Sequence, residues 1–468
     1  MKKLALVTAT PEQLPIISNQ RLGSEVIRGA AGSGKTSTAL LRMQSLKFMI
    51  EARKARIEDH SRVRILVLTF NRTLSGYVSS LAEAQLEVNG NALIEISTFA
   101  KWAIGNLSGR SLDDQAAKSI FLAQVQASTI LGLSQEYIVD EVDYVMGRFA
   151  ENDLERYIEI ERTGRGATPR VVASTRRLLL DEVIYPYISA LDARGIMDWN
   201  TLATEVLASN FADKYDVVVV DEAQDFSANQ LRAVMHAMNE THAATFVIDT
   251  AQRIYARGFT WAEAGVHVSS GSFYKLLENH RNTIQIARFV SNVLSGINVD
   301  SDGALPDLTT AYRNGSLPYL LSGVYGDQVD WAIEFIRGVD LCEVSVAFLA
   351  PLGGGWLTYL KQSLTRAGIE FADITRNVDW PEGGENVAIC TFHSAKGLEF
   401  DHVFILGMAD TNAGRGQVGF DDKEERMRRL FAVASARARE TLAIGYKPGE
   451  ESFLLSAVDR ALVQEIVL

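Results

Sequence analysis

The chain has 468 residues, 47% of them hydrophobic, which is enough apolar material for two to four domains with cores of their own. Two cysteines far apart, Cys342 and Cys390, argue against a disulfide framework and an iron–sulfur or zinc module, and no run is long enough to cross a membrane. A net charge of −12 is unlike that of a protein that coats itself with polyanion, yet average charge leaves a local basic groove open.

Met1-Lys2-Lys3 and the apolar Leu4-Ala5-Leu6-Val7 imitate a secretion signal, but Thr8 and Pro11 end the apolar stretch too early, which places the protein in the cytoplasm. Val26-Ile27 predict a strand. Behind it comes Gly29-Ala30-Ala31-Gly32-Ser33-Gly34-Lys35-Thr36, followed by a helix-forming run from Ser37 to Ile50. This G-x-x-x-x-G-K-T pattern between strand and helix predicts a nucleoside triphosphate site. The backbone N–H groups would cradle phosphate, Lys35 would reach the β and γ phosphates, and the Thr36 hydroxyl would ligate Mg²⁺. Ser37 opens the helix beside them.

Further strands are predicted near Arg64 to Thr69 and Ile94 to Ser97. Ser111-Leu112-Asp113-Asp114 reads as a capping box opening a helix, and the residues to Ala193 are helix-patterned with no clear strand run. Within them Arg162, Arg165, Arg170, Arg176 and Arg177 fall in a stretch without acidic residues, with Gly164, Gly166 and Pro169 marking a loop. Two readings stand, a solvated loop or a phosphate track. The valines at 217–220 predict a strand buried on both faces, ending in Asp221 and Glu222. Two carboxylates at such a place need a cation or solvent. In a P-loop site Asp221 would hold the metal and Glu222 would orient or deprotonate the attacking water, while Asp225 suits a helix cap. Later strands are predicted at Thr245 to Ile248, Val344 to Leu349, Val387 to Cys390, Val403 to Leu406 and Leu442 to Tyr446. The fold class expected is α/β, two lobes on parallel sheets with a helical insertion in the first.

Seven segments occur in an order that resembles UvrD/Rep-type superfamily 1 helicases. They are Thr10-Pro11-Glu12-Gln13, Leu68-Thr69-Phe70-Asn71, Asp221-Glu222-Ala223-Gln224-Asp225, Gln252-Arg253-Ile254-Tyr255, Glu278-Asn279-His280-Arg281-Asn282-Thr283, Thr391 through Phe400 (T-F-H-S-A-K-G-L-E-F), and Val433-Ala434-Ser435-Ala436-Arg437-Ala438. The resemblance spans nearly the whole chain, and Thr391 to Phe400 is its most specific part. It implies two RecA-like lobes that share one ATP site. The segments expected are 1–105 (first part of lobe 1A), 106–194 (helical 1B insertion), 195–275 (second part of 1A) and 276–468 (lobe 2A). Asn282 and Thr391 are only 109 positions apart, so subdomain 2B of the larger relatives is expected to be missing or reduced to a loop. The 22 residues after Tyr446 leave no room for a fused nuclease.

By the same resemblance, Gln13 reads adenine, Gln252 senses the γ phosphate, and Arg281 and Arg437 enter from the second lobe to stabilise charge on the transferring phosphoryl group. Glu399 lies near the ribose. His280 stands where the family usually has tyrosine, and imidazole covers less of a base, so looser nucleotide selectivity is expected. The family often continues Q-x-I-Y with x-W-R, where this chain reads Ala256-Arg257-Gly258-Phe259-Thr260-Trp261, so Trp261 or Arg257 is expected to assume the stacking duty on the nucleic-acid track. Single-stranded DNA would cross both lobes, with Phe70 and Tyr255 stacking on bases and Thr69, Asn71, Thr98 and His393 at backbone phosphates. For Phe99 core packing and base stacking stand about even. The expected activity is ATP- and Mg²⁺-dependent 3′ to 5′ movement on single-stranded DNA or a 3′-tailed duplex, as a monomer or weak oligomer. The alternative is a DNA-stimulated ATPase subunit serving a separate nuclease or effector in repair or phage defence.

Overall fold

The structure is a computed structural model that describes residues 9–29, 33–69, 75–76, 78–79, 92–107, 109–130, 132–160, 170–249, 259–276, 279–296, 311–351, 355–375, 385–410 and 421–468. Of the expected site residues, Ala30, Ala31, Gly32, Phe70, Asn71, Gln252, Tyr255 and Arg257 lie outside these, as do the side chains of His280 and Arg281.

In the first lobe, strands β1 (Gly23–Gly29), β2 (Val63–Thr69), β3 (Ala92–Thr98), β4 (Tyr215–Val220), β5 (Met238–Asp249) and β6 (Phe273–Leu276) form a parallel sheet ordered β3-β2-β4-β5-β1-β6. Every residue of β4 is buried, as its valine run requires of a strand covered on both faces. Helix α1 (Lys35–Arg56) packs on this sheet. Its fully buried Arg42 ion-pairs with Glu25 of β1 and donates to Thr245 Oγ1 of β5 at 3.2 Å, which fixes the helix across two strands. Because all strands run the same way, the residues following β1, β2, β3 and β4 gather along one edge, where ligands of open α/β sheets bind.

Between β3 and β4 comes a helical region with its own core, built on Asp114–Ala127, Gln135–Arg148, Ala173–Leu178 and Tyr185–Arg194. Its first helix is capped by Asp113, which accepts from the Ala116 N–H at 2.9 Å, so the cap lies two residues beyond Ser111. Ser111–Leu112 instead pairs with Ile196–Met197, a short ladder that ties the two ends of the region together and that the sequence did not announce. Segment Leu179–Ile184 is a π-helical stretch just before Pro186, whose missing N–H cannot complete the α-helical ladder. The region is docked on the first lobe by Asn229, which donates to the carbonyls of Met146 at 2.7 Å and Phe149 at 2.8 Å, and by the Arg148–Glu263 ion pair at 2.8 Å.

The second lobe is a seven-stranded parallel sheet of β7 (Tyr319–Ser322), β8 (Val346–Ala350), β9 (Ala372–Asp373), β10 (Val387–Thr391), β11 (Phe400–Ile405), β12 (Ala438–Tyr446) and β13 (Gln464–Val467), ordered β9-β10-β8-β11-β12-β7-β13. Phe348 and Phe404 stack in its core at 5.2 Å. The mixed α/β fold with two parallel sheets is as the sequence led us to expect. Among the described residues no helix is long and apolar enough to cross a membrane.

Candidate nucleotide and nucleic-acid site

Gly29 ends β1 and Gly34 precedes α1 at φ 74°, a left-handed conformation that favours glycine. A Cβ on Gly29 would lie 2.5 Å from Ser33 Oγ and 2.7 Å from the Leu276 carbonyl, and one on Gly34 would lie 2.5 Å from Gln13 Nε2. The tight turn therefore needs both glycines. Gln13 is 2% exposed; its amide donates to the Ser33 carbonyl at 3.1 Å and accepts from the Thr10 N–H at 3.1 Å. The segment Thr10–Gln13 thus sits directly on the phosphate-loop turn. Lys35, also buried, donates to the Gly29 carbonyl at 3.0 Å, across the mouth of the same loop.

One strand, β5, separates β1 from β4, which sets Asp221 opposite the start of α1. Thr36 Oγ1 donates to Asp221 Oδ2 at 2.9 Å. Burial and the neighbouring Glu222 push the Asp221 carboxyl up to about 7, only partly offset by Thr36, the Glu222 N–H and Lys35. A buried carboxyl in that condition, beside a hydroxyl and a phosphate loop, is matched to a divalent cation, so the donor set fits Mg²⁺. Glu222 takes the left-handed backbone region at φ 52°, a conformation that costs a non-glycine residue about 1–2 kcal/mol.

Two buried cations of the second lobe act electrostatically on Glu222. Lys396, 3% exposed, pairs with Asp225 and lies 3.6 Å from Glu222 Oε2. Arg437, 2% exposed, donates to the Leu398 carbonyl at 3.4 Å. Burial alone would raise the Glu222 carboxyl, but Lys396, then Arg437 and Lys35, together with the Gln224 amide, hold it below the ordinary glutamate range. The site is therefore made from both lobes, with the acids and Lys35 from one and Lys396 and Arg437 from the other.

The role of Asp225 differs from the expectation. Ser227, not Asp225, caps the following helix by accepting from the Gln230 N–H, while the Asp225 carboxylate turns to Lys396 across the seam. The sequence reading assigned no role to Lys396 or Asn282. A lysine inside an apolar turn, with carboxylates in excess on the facing lobe, was the available signal for Lys396. Asn282 carried none.

On the expected nucleic-acid track, Thr69 and Thr98 are register partners at the carboxyl ends of β2 and β3, and Thr98 caps the next helix by accepting from the Lys101 N–H at 3.3 Å. His393 is exposed just beyond the carboxyl end of β10. Of the two readings of Phe99, core packing holds. It is 5% exposed and packs against Trp102 at 5.6 Å and Phe226 at 6.2 Å, so its ring offers no face to a base. Trp261 is half-buried on Phe246 at 5.2 Å, a packing role rather than an open platform. Arg176 and Arg177 lie on a helix, not a loop. Arg176 ties down the carbonyls of Tyr157, Ile158, Ile160 and Val171, and Arg177 pairs with Glu155 at 2.7 Å, so both are engaged within the helical region. Glu399 is half-buried between Leu398 and the start of β11, on the segment that receives Arg437.

Two family models match the chain. The UvrD/REP helicase N-terminal domain matches residues 9–268, and the UvrD-like helicase C-terminal domain matches residues 360–448. Among solved structures, the C-terminal domain of a possible DNA helicase from Lactobacillus plantarum WCFS1 is similar at 23% identity, covering 40% of this chain and 97% of that one with a TM-score of 0.30. No curated protein matches.

Proposed function

The chain belongs to the UvrD/REP helicase family of ATP-dependent DNA helicases, and from that premise we propose that it moves 3′ to 5′ along single-stranded DNA by opening and closing the seam between its two lobes. The observation that best supports this is the composite site, in which Lys396 and Arg437 of the second lobe bear on Glu222 of the first. Such a site turns over only when the lobes are closed on one another, which makes lobe position and hydrolysis a single event.

In this reading Gln13 meets the base, with Glu399 at the ribose and His280 beside the adenine. The loop of Gly29, Ala30, Ala31, Gly32, Ser33 and Gly34 cradles the phosphates, and Ser37 follows at the helix start. Lys35 leaves the Gly29 carbonyl for the γ phosphate. A divalent ion held by Thr36 and Asp221 would neutralise charge between the β and γ phosphates. Glu222, kept ionised by its cationic neighbours, orients and deprotonates the attacking water. Lys396 and Gln224 both meet its Oε2, which leaves Oε1 to take up that water. Arg437, with Arg281, stabilises the transferring phosphoryl group, and Gln252 reports its presence. The DNA track is read as Thr69, Phe70, Asn71, Thr98, Tyr255, Arg257 and His393, without Phe99 or Trp261.

We also retain the division into 1–105, 106–194, 195–275 and 276–468, and the absence of a large 2B insertion, as part of this reading. The test is ATP turnover with single-stranded DNA, duplex DNA or RNA, together with strand displacement on a 3′-tailed duplex. Stimulation by single-stranded DNA with unwinding of the 3′-tailed substrate supports the proposal. Stimulation without unwinding would favour a DNA-sensing ATPase that serves a separate nuclease or effector.

A further inference from the structure

Helix Asp421–Ser435 runs into β12 through only two residues, Ala436 and Arg437. A helix end leaves carbonyls without intrahelical donors, and a buried end must find them elsewhere. The carbonyls of the buried turn that follows this helix find Asn282. This side chain is 2% exposed, and its amide nitrogen donates to the Ala436 carbonyl at 3.0 Å and to the Ala438 carbonyl at 2.5 Å. The carbonyl between them, that of Arg437 itself, accepts from the Phe400 N–H at 3.0 Å. Three successive carbonyls are thus each held by a donor from another segment. The guanidinium of Arg437 leaves the same clamp to meet the Leu398 carbonyl at 3.4 Å, two residues before Phe400.

The chemistry selects an amide. A side-chain NH₂ carries two hydrogens and can serve two carbonyls at once, whereas a serine hydroxyl has one and a carboxylate none. Asn282 also follows Arg281 directly, on the short strand Asn279–Thr283. One residue therefore joins the strand bearing the first arginine to the turn bearing the second.

We propose that Asn282 is a positioning residue for Arg437, holding the helix-to-strand turn so that the guanidinium of Arg437 approaches the nucleotide in one fixed orientation. This rests on the reading of Arg437 as the arginine that acts on the phosphoryl group. Misplacement of a catalytic group by about 1 Å costs on the order of 10²-fold in rate, so loss of the clamp should be felt in turnover and scarcely in binding.

The experiment compares wild type, Asn282→Ala, Asn282→Ser, Arg437→Ala and the Asn282→Ala/Arg437→Ala double variant. It measures binding of a fluorescent ATP analogue, single-turnover hydrolysis on single-stranded DNA, and thermal melting. Expected are a fall of roughly 10- to 100-fold in hydrolysis for Asn282→Ala, nucleotide affinity within about threefold of wild type, and an intermediate fall for Asn282→Ser. The double variant should be no slower than Arg437→Ala alone, because the clamp acts only through that arginine. If the two losses multiply, or if Asn282→Ala hydrolyses at the wild-type rate while Arg437→Ala has collapsed, the proposal is overturned. Normal hydrolysis by Arg437→Ala overturns the reading beneath it instead. Should Asn282→Ala fail to fold, Asn282→Ser decides: wild-type turnover refutes the proposal, and a loss in turnover without loss of affinity supports it.

Discussion

Replacing Lys396 by alanine removes the cation that bridges the seam. It faces Asp225, whose side chain is 0% exposed, and Glu222, 10% exposed and 3.6 Å away. At an effective dielectric of about 20, a unit pair at that separation is attracted by about 4–5 kcal/mol. Removing one partner of a buried pair strands the other charge and costs about 3–5 kcal/mol. Lys396→Ala should therefore lower stability by about that amount, a large share of the 5–15 kcal/mol typical of a folded domain. The assay is a double-mutant cycle with Asp225→Ala, read on the first transition in denaturant. The expected coupling is about 2 kcal/mol or more, because the second deletion removes the charge that the first leaves stranded. A second readout is the acid limb of kcat/KM, which reports groups of the free enzyme. In the wild type Glu222 is held below its ordinary range, so its contribution to stability is present above that range and fades as pH falls. Without Lys396 the upward push of burial is less opposed, and the acid limb should move to higher pH. A coupling below about 0.5 kcal/mol with an unmoved acid limb would refute the bridge.

Asp221→Asn should abolish hydrolysis yet stabilise the nucleotide-free protein at pH 8. The lift of the Asp221 carboxyl to about 7 means its favourable protonated form is lost as pH rises through that value, at about 1.4 kcal/mol per unit of lift. Melting curves should therefore show a gain at pH 8 that vanishes at pH 4, and a variant less stable at pH 8 would contradict the assignment. Gly34→Ala places a methyl group 2.5 Å from the Gln13 amide in a left-handed conformation, and should weaken ATP binding at least tenfold in a nucleotide titration. Arg176→Ala should destabilise the helical insertion by freeing four carbonyls while leaving the salt dependence of DNA binding unchanged; a shallower salt slope would return Arg176 to the phosphate path.

What could be read from the sequence was what depends on neighbours along the chain. The buried valines of β4, the glycines around Ser33 and the carboxylates at a strand end all carry their environment in their local pattern, and each expected strand lies on an observed one. What could not be read depends on residues brought together from far apart. The Arg176 clasp on four carbonyls looked like spare positive charge because its acceptors are backbone atoms, which every sequence supplies. Phe99 looked available because a ring at a strand end gives no sign of Trp102 and Phe226 beside it. Asp225 read as a cap since aspartate commonly is one, and the lysine that claims it is 171 residues away.

The proposed ATP site is completed across the seam by Arg437 of the second lobe. Its most direct test is single-turnover hydrolysis by Arg437→Ala at saturating ATP and single-stranded DNA, with nucleotide affinity measured in parallel. Near-normal affinity with hydrolysis reduced by roughly 10³-fold or more is the predicted result. Hydrolysis at the wild-type rate would contradict the claim.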